Sequence, residues 1–314
     1  MNVARALVPA ETRLGAFAAA TDFSLLRRTR PLRSHVPYSK HPNIQRKDQL
    51  IAMLLAIDAG NTNVTLGVFD GAALTHRWRL RTVREQTADE WGILMRNLFS
   101  LDGVEPPAIH GIIVSSVVPS LDASLRSMAK RYFNTEPLFV THLLDTGIAI
   151  RYDNPREVGA DRIVNAVAAW HRFQSACIVV DLGTAITFDA ISNAGEYLGG
   201  VISPGIAMSI SGLFSWTARL PMVDFCEPAQ VIGTNTVASM QSGLYFGFAA
   251  VIDGIVERMT AELGPGTRTI ATGGHAHLIV KALRLVHESD EDLTLQGLRL
   301  IWERQGRNVP AKAK

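Results

Sequence analysis

The sequence predicts an α/β protein built from two copies of one strand–turn–strand unit, and three observations carry that prediction. Residues 58–63 read D-A-G-N-T-N and residues 181–185 read D-L-G-T-A, each at the end of a short apolar strand pattern. Each turn is followed by a second extended segment, a tight turn and a returning segment. Through the remainder, strand patterns alternate with helical ones, as in an α/β fold.

Taken in order, residues 53–57 form an apolar run that ends at Asp58. Residues 65–69 continue extended, Asp70-Gly71 turns the chain, and 73–80 return. Residues 87–99 read as a helix. Thr87 can cap it, Asp89 and Glu90 suit its first turn, and Trp91, Leu94, Met95 and Leu98 share one face. A buried strand is expected at 111–118, a helix at 120–133 and a strand at 137–141. The second unit repeats the opening. Strand 178–180 ends at Asp181, 186–191 continue, Asn193-Ala194-Gly195 turn, and 197–202 return. A long helix at 236–263, a strand at 267–272, a Gly273-Gly274 turn, a helix from His275 and a last helix at 292–303 complete the pattern.

With 314 residues, 47% hydrophobic and 19% charged, the chain can bury two cores of ordinary size, which argues against disorder. No apolar run of about 18 residues is free of charges and turn signals, so no transmembrane helix is expected. The two cysteines, Cys177 and Cys226, are too few for a disulfide framework and fit a reducing cytoplasm. The net charge of +2 hides an asymmetry. Residues 1–52 hold nine of the 31 Lys and Arg and three of the 29 Asp and Glu, leaving 22 basic and 26 acidic residues. The body is thus mildly acidic, and no nucleic-acid partner is expected. Residues 1–52 show no sustained period and cluster Arg27, Arg28, Arg30 and Arg33 around prolines. We read them as a disordered or mis-assigned extension, with Met53 as the natural start.

A turn of type Asp-x-Gly is suited to phosphate. Glycine lets the backbone approach a charged group closely, and consecutive N–H groups form an anion cradle. Asn61, Thr62 and Thr184 can add donors, and the carboxylate at the strand end can hold a cation that bridges phosphate oxygens. One such turn also occurs as a plain β-turn; two at equivalent points of a duplicated unit point to nucleotide use. No G-x-x-x-x-G-K-[ST] is present, which excludes a P-loop. Thr272-Gly273-Gly274-His275 could seat a flat adenine–ribose group or be an ordinary strand-to-helix turn. His275 and His277 lack companion ligands for zinc and read as structural.

The paired turns and the later G-G turn resemble the superfamily of acetate kinase, Hsc70 and sugar kinases. Four segments narrow this: G-A-D-R at 159–162, G-G-V-I-S-P-G at 199–205, G-T-N-T-V-A-S-M-Q-S-G at 233–243 and L-T-L-Q-G-L-R-L-I-W-E-R at 293–304. Together they resemble type III pantothenate kinase, over residues 53 to about 304. The resemblance implies an α/β fold of two ribonuclease-H-like (actin-like ATPase) domains, 53–165 and 166–306, with a nucleotide cleft between them and a tail at 307–314. It implies ATP-dependent phosphorylation of pantothenate in coenzyme A synthesis. The alternatives are an acetate or sugar kinase, or an ATP-sensing regulatory protein on the same fold.

Residue by residue, Asp58, Ala59, Gly60, Asn61, Thr62, Asn63, Val64, Thr65 and Thr184 match ATP contacts. Asp161 matches the general base, and Gly159, Ala160, Arg162, Tyr152 and Thr236 match substrate contacts. Asp58 would organise Mg²⁺ through water, and Asp181 would hold K⁺ or NH₄⁺. The resemblance also implies a homodimer. From the residues alone, Asp161 could be a first-turn helix acid, Arg162 a surface ion pair, Tyr152 a packing residue and Thr236 a helix N-cap.

Overall fold

The computed structural model describes residues 53–306; the expected extension 1–52 and tail 307–314 lie outside the described residues. Strands β1 (Met53–Ala59), β2 (Asn63–Asp70) and β3 (Ala73–Arg81) form an antiparallel meander. Helix α1 (Ala88–Asp102) begins with the cap expected at Thr87, as a reciprocal capping box with Glu90. Strand β4 (Ile109–Ser116) pairs parallel with β1, and α2 (Pro119–Phe133) leads to β5 (Leu138–Phe139). The first sheet is thereby ordered β3-β2-β1-β4-β5. The expected strand at 137–141 is confined to two residues.

After β6 (Ala149–Ile150) and α3 (Ala160–Phe173), the same motif recurs. Strands β7 (Cys177–Leu182), β8 (Ala185–Ile191) and β9 (Glu196–Pro204) are antiparallel. Helices α4 (Ile206–Ser215) and α5 (Thr236–Leu263) follow, then β10 (Arg268–Thr272), the single turn α6 (Ala276–Ile279), β11 (Glu288–Ser289) and α7 (Leu293–Arg304). The second sheet is ordered β11-β10-β7-β8-β9-β6. Apart from the added edge strand β6, it repeats the ribonuclease-H-like order of the first.

Helix α4 is not foreseen above, because its near-continuous apolar run (I-A-M-S-I-S-G-L-F-S) shows no polar face to set a period. The helix expected from His275 is a single turn followed by a 3₁₀ turn at 280–282.

Three cores explain the layering. Leu55, Ile57 and Ala59 of β1 pack with α1 and α2, whereas Leu54 and Ala56 face α3 and α7. In β7, Ile178, Val180 and Leu182 pack toward α5, while Cys177 and Val179 face α3. Both central strands are buried on both faces, which is why they read as unbroken apolar runs. Helices α3 and α7 form the layer shared by the two sheets. The boundary expected at 165–166 falls within α3, so this shared helix carries the site's residues between the two sheets.

Candidate active site

The carboxyl ends of β1 and β7 bring the two Asp-x-Gly turns together. In the first, Gly60 N–H donates to the Asn63 carbonyl at 3.0 Å; in the second, Gly183 N–H donates to the Ala185 carbonyl at 3.1 Å. Both turns are closed by the glycine N–H, the first over three residues and the second over two. They also meet, with the hydroxyls of Thr62 and Thr184 2.8 Å apart. Thr82, just beyond β3, anchors the first turn by donating its hydroxyl to the Gly60 carbonyl and its N–H to the Thr62 carbonyl, at 2.6 and 2.9 Å. Gly205, the last glycine of G-G-V-I-S-P-G, packs directly on the Thr184 carbonyl, where any Cβ would collide with backbone.

The third turn closes the same cleft. Gly273 has φ +90° and lies against the Leu182 backbone and Asp181 Oδ1, so both the conformation and the space require glycine. The Arg79 guanidinium of β3 lies over Gly274. It is an exposed cation reaching from the first sheet to the T-G-G turn of the second, and sequence reasoning missed it.

Asp161 enters from α3. Gly159 is the N-cap, and Asp161 Oδ1 accepts the Arg162 backbone N–H at 2.7 Å. Burial raises the Asp161 carboxyl above the usual range, partly offset by that hydrogen bond and by Arg162. Asp58 is pushed up to about 8, first by burial and then by the charges of Asp161 and Asp181. Asp181 is pushed up to about 7 by burial, Asp161 and Asp189. Asp161 thus acts on both strand-end carboxylates, and like charges crowded in a poorly solvated cleft call for a cation.

The donors fit a hard cation. Asp58 Oδ1 and the Ser115 hydroxyl lie opposite each other in the β1–β4 register, and among the described residues neither buried atom has a well-formed hydrogen-bond partner. Ser115 still acts electrostatically to lower Asp58. Asp181 Oδ2 accepts from the Asn165 amide at 3.1 Å, and Asn165 accepts from the Thr294 hydroxyl at 2.8 Å. These are oxygen donors without sulfur or imidazole, as Mg²⁺ and alkali ions prefer. Among the described residues no three His, Cys, Asp or Glu side chains form a closed metal cluster.

Arg162 is not the surface ion pair that its sequence context also allowed. Its side chain is 10% exposed, and its Nε donates to the fully buried Asp189 at 2.6 Å. Tyr197 donates its hydroxyl to the same carboxylate at 2.9 Å. Tyr152 packs over Gly199 and lies 6.3 Å, ring to ring, from Tyr197, beside Arg162. Asp189 and Tyr197 were absent from the expected site. The available signal was an acid in the apolar strand I-T-F-D-A-I, where a buried carboxylate demands a partner.

Thr236 stands apart. The N-cap of α5 is Asn235, whose side chain accepts the Ala238 N–H at 2.9 Å. Thr236 begins the helix and lines a different cleft of about 700 Å³ with Leu213, Leu220, Gly233, Met240 and Leu244. None of the residues of the two Asp-x-Gly turns lines that cleft. Exposed apolar side chains gather on neighbouring elements, among them Trp216, Ile232, Val231, Met208 and Phe214.

Three comparisons bear on this arrangement. The sequence model of the type III pantothenate kinase family matches residues 54–258. A type III pantothenate kinase of Solibacter usitatus (strain Ellin6076) is 59% identical over 258 residues, covering 82% of this chain and 99% of the relative. One from Koribacter versatilis (strain Ellin345) is 52% identical over 268 residues, covering 82% and 97%. Among solved structures, a Campylobacter jejuni protein described as a Baf family transcriptional activator aligns with TM-score 0.51 and 18% identity. It covers 81% of this chain and all of that one, a likeness that speaks to the fold alone.

Proposed function

From a chain that belongs to the type III pantothenate kinase family and phosphorylates pantothenate with ATP, we infer the following division of labour. Asp161 is the general base. It takes the proton from the primary hydroxyl of pantothenate as that oxygen bonds to the γ-phosphorus and the bond to the bridging oxygen of ADP breaks. The observation that carries this reading is the convergence of three segments: the charge of Asp161 is near enough to act on both strand-end carboxylates, whose turns are joined through Thr62 and Thr184.

Residues 58–65 and Thr184 cradle the ATP phosphates. Asp58 would organise Mg²⁺ through water, and Asp181, oriented by Asn165, would hold K⁺ or NH₄⁺. When bound, these cations neutralise charge on the phosphates and the leaving group. Gly159, Ala160, Arg162 and Tyr152 form the substrate wall. Arg162 offers its free terminal nitrogen to an anionic oxygen, and burial keeps water from competing.

A homodimer accounts for Thr236. This residue lies in a cleft separate from Asp161 and is flanked by exposed apolar side chains that a second copy would cover. Thr236 would then complete the substrate site of the partner copy. A cytoplasmic location follows from the need for ATP, and no helix of the described residues is long and apolar enough to cross a membrane.

An ADP-release assay on the purified full chain, comparing pantothenate, acetate and glucose, tests the reading. Pantothenate alone should support rapid release, and light scattering of the same sample should give the mass of two chains. Release with acetate or glucose at a comparable rate would overturn the substrate assignment, and a monomer would overturn the role of Thr236. Turnover is also expected to require K⁺ or NH₄⁺ and to be low in Na⁺ or Li⁺ alone. Turnover indifferent to the monovalent ion would remove Asp181 from that role.

A further inference from the structure

We propose that Asp189 and Tyr197 are positioning residues for this reaction: they clamp Arg162 through its Nε so that the terminal nitrogen Nη2 is held ready for an oxyanion in the cleft. The proposal deepens the reading above and rests on Arg162 contacting the substrate or the transferring phosphoryl group. A carboxylate in the middle of β8 costs stability that an apolar residue would not, so its retention calls for a use. Asp189 is wholly buried, and its oxygens are engaged from three sides. Arg162 Nε at 2.6 Å and the Tyr197 hydroxyl at 2.9 Å both donate to Oδ1, and the Thr187 hydroxyl donates to Oδ2 at 3.3 Å. A carboxylate held in this way cannot swing, and neither can the guanidinium fork attached to it.

One terminal nitrogen of that fork is left unengaged. Arg162 Nη2 is buried and, among the described residues, has no hydrogen-bond partner. Its surroundings are shaped to admit it. The Tyr197 ring lies 5.7 Å from the guanidinium carbon. At Gly200, a Cβ would strike the Phe188 carbonyl and come within 3.0 Å of Nη2. Arg162 directly follows Asp161 in α3, and without Asp189 it would be free to turn toward that carboxylate. The clamp therefore also keeps the cation from occupying the base. The oxyanion is either the carboxylate end of pantothenate or an oxygen of the phosphoryl group in transfer.

The test uses the full chain and the variants Asp189→Asn, Tyr197→Phe and Arg162→Gln, alone and combined. Asp189→Asn should lower kcat/KM for pantothenate about 10–100-fold and Tyr197→Phe about 3–10-fold, with KM for ATP changed less than about twofold. Added to Arg162→Gln, Asp189→Asn should cost nothing further, because both act through one group. A neutral analogue, in which the pantothenate carboxylate is replaced by an alcohol, separates the sources. If the carboxylate is the target, the preference for pantothenate over the analogue collapses in Asp189→Asn. If the phosphoryl group is the target, kcat falls equally on both. Kinetics within twofold of wild type in Asp189→Asn, beside an impaired Arg162→Gln, overturn the clamp. So does a loss shared equally by KM for ATP. An unimpaired Arg162→Gln overturns the reading of Arg162 itself. Should Asp189→Asn not fold, Tyr197→Phe, which loses one hydroxyl, decides by the same criteria.

Discussion

Asp161→Asn is expected to lower kcat about 10²–10⁴-fold while ATP affinity changes little. The amide keeps the shape of the carboxylate, and its oxygen can still accept the Arg162 N–H that Asp161 Oδ1 accepts at 2.7 Å. The start of α3 should therefore survive, and only the proton acceptor is lost. Burial raises Asp161, so wild-type activity should fall on the acid side as the base protonates, above the range of an ordinary aspartate. The variant should lose that acid limb along with its rate. Steady-state kinetics across pH, with nucleotide binding measured separately, make the comparison. Near-normal turnover would remove Asp161 from the chemistry.

Asp58→Asn should act in opposite directions on stability and activity. Burial and two neighbouring carboxylates push Asp58 from 3.8 up to about 8, and Asp181 is pushed to about 7. Between the unfolded and folded values the native protein binds more protons than the unfolded chain. Stability of the cation-free protein should therefore be greatest at acid pH and decline as pH rises from about 4 toward 8. Removing the Asp58 charge should lift the melting temperature at pH 8 and do progressively less toward pH 4. Mg²⁺ should stabilise the wild type more at pH 8 than at pH 5, and the variant should lose much of that response. Turnover should nevertheless drop by about 10²–10³-fold, the scale of losing one preorganised electrostatic group. A variant less stable than wild type at pH 8 would contradict the picture of an uncompensated buried carboxylate. Full Mg²⁺-dependent turnover would contradict its role.

Much of this site is local in origin, and that part is legible in the sequence. The turns at 58–63 and 181–185 are readable because an Asp at a strand end followed by glycine is a short-range signal. The same holds for the cap at Thr87 and for helix α5, whose limits, Thr236–Leu263, match the expected ones. The duplicated meander appears as two sheets with the same central order.

What the sequence by itself determined is thus the pair of Asp-x-Gly turns and the strand–helix alternation; Asp161 as candidate base came from the family resemblance that the G-A-D-R segment carries. Only the tertiary structure decided which charges face one another. It set Arg162 on Asp189 instead of on a surface partner, Asn165 between Thr294 and Asp181, and Thr236 in a cleft of its own. The reason is physical. Turn chemistry and helix caps depend on neighbours a few residues away. The carboxylate cluster depends on burial and Coulomb interactions among Asp58, Asp161 and Asp181, which lie on separate elements and come together only when the two sheets pack on the helix layer they share.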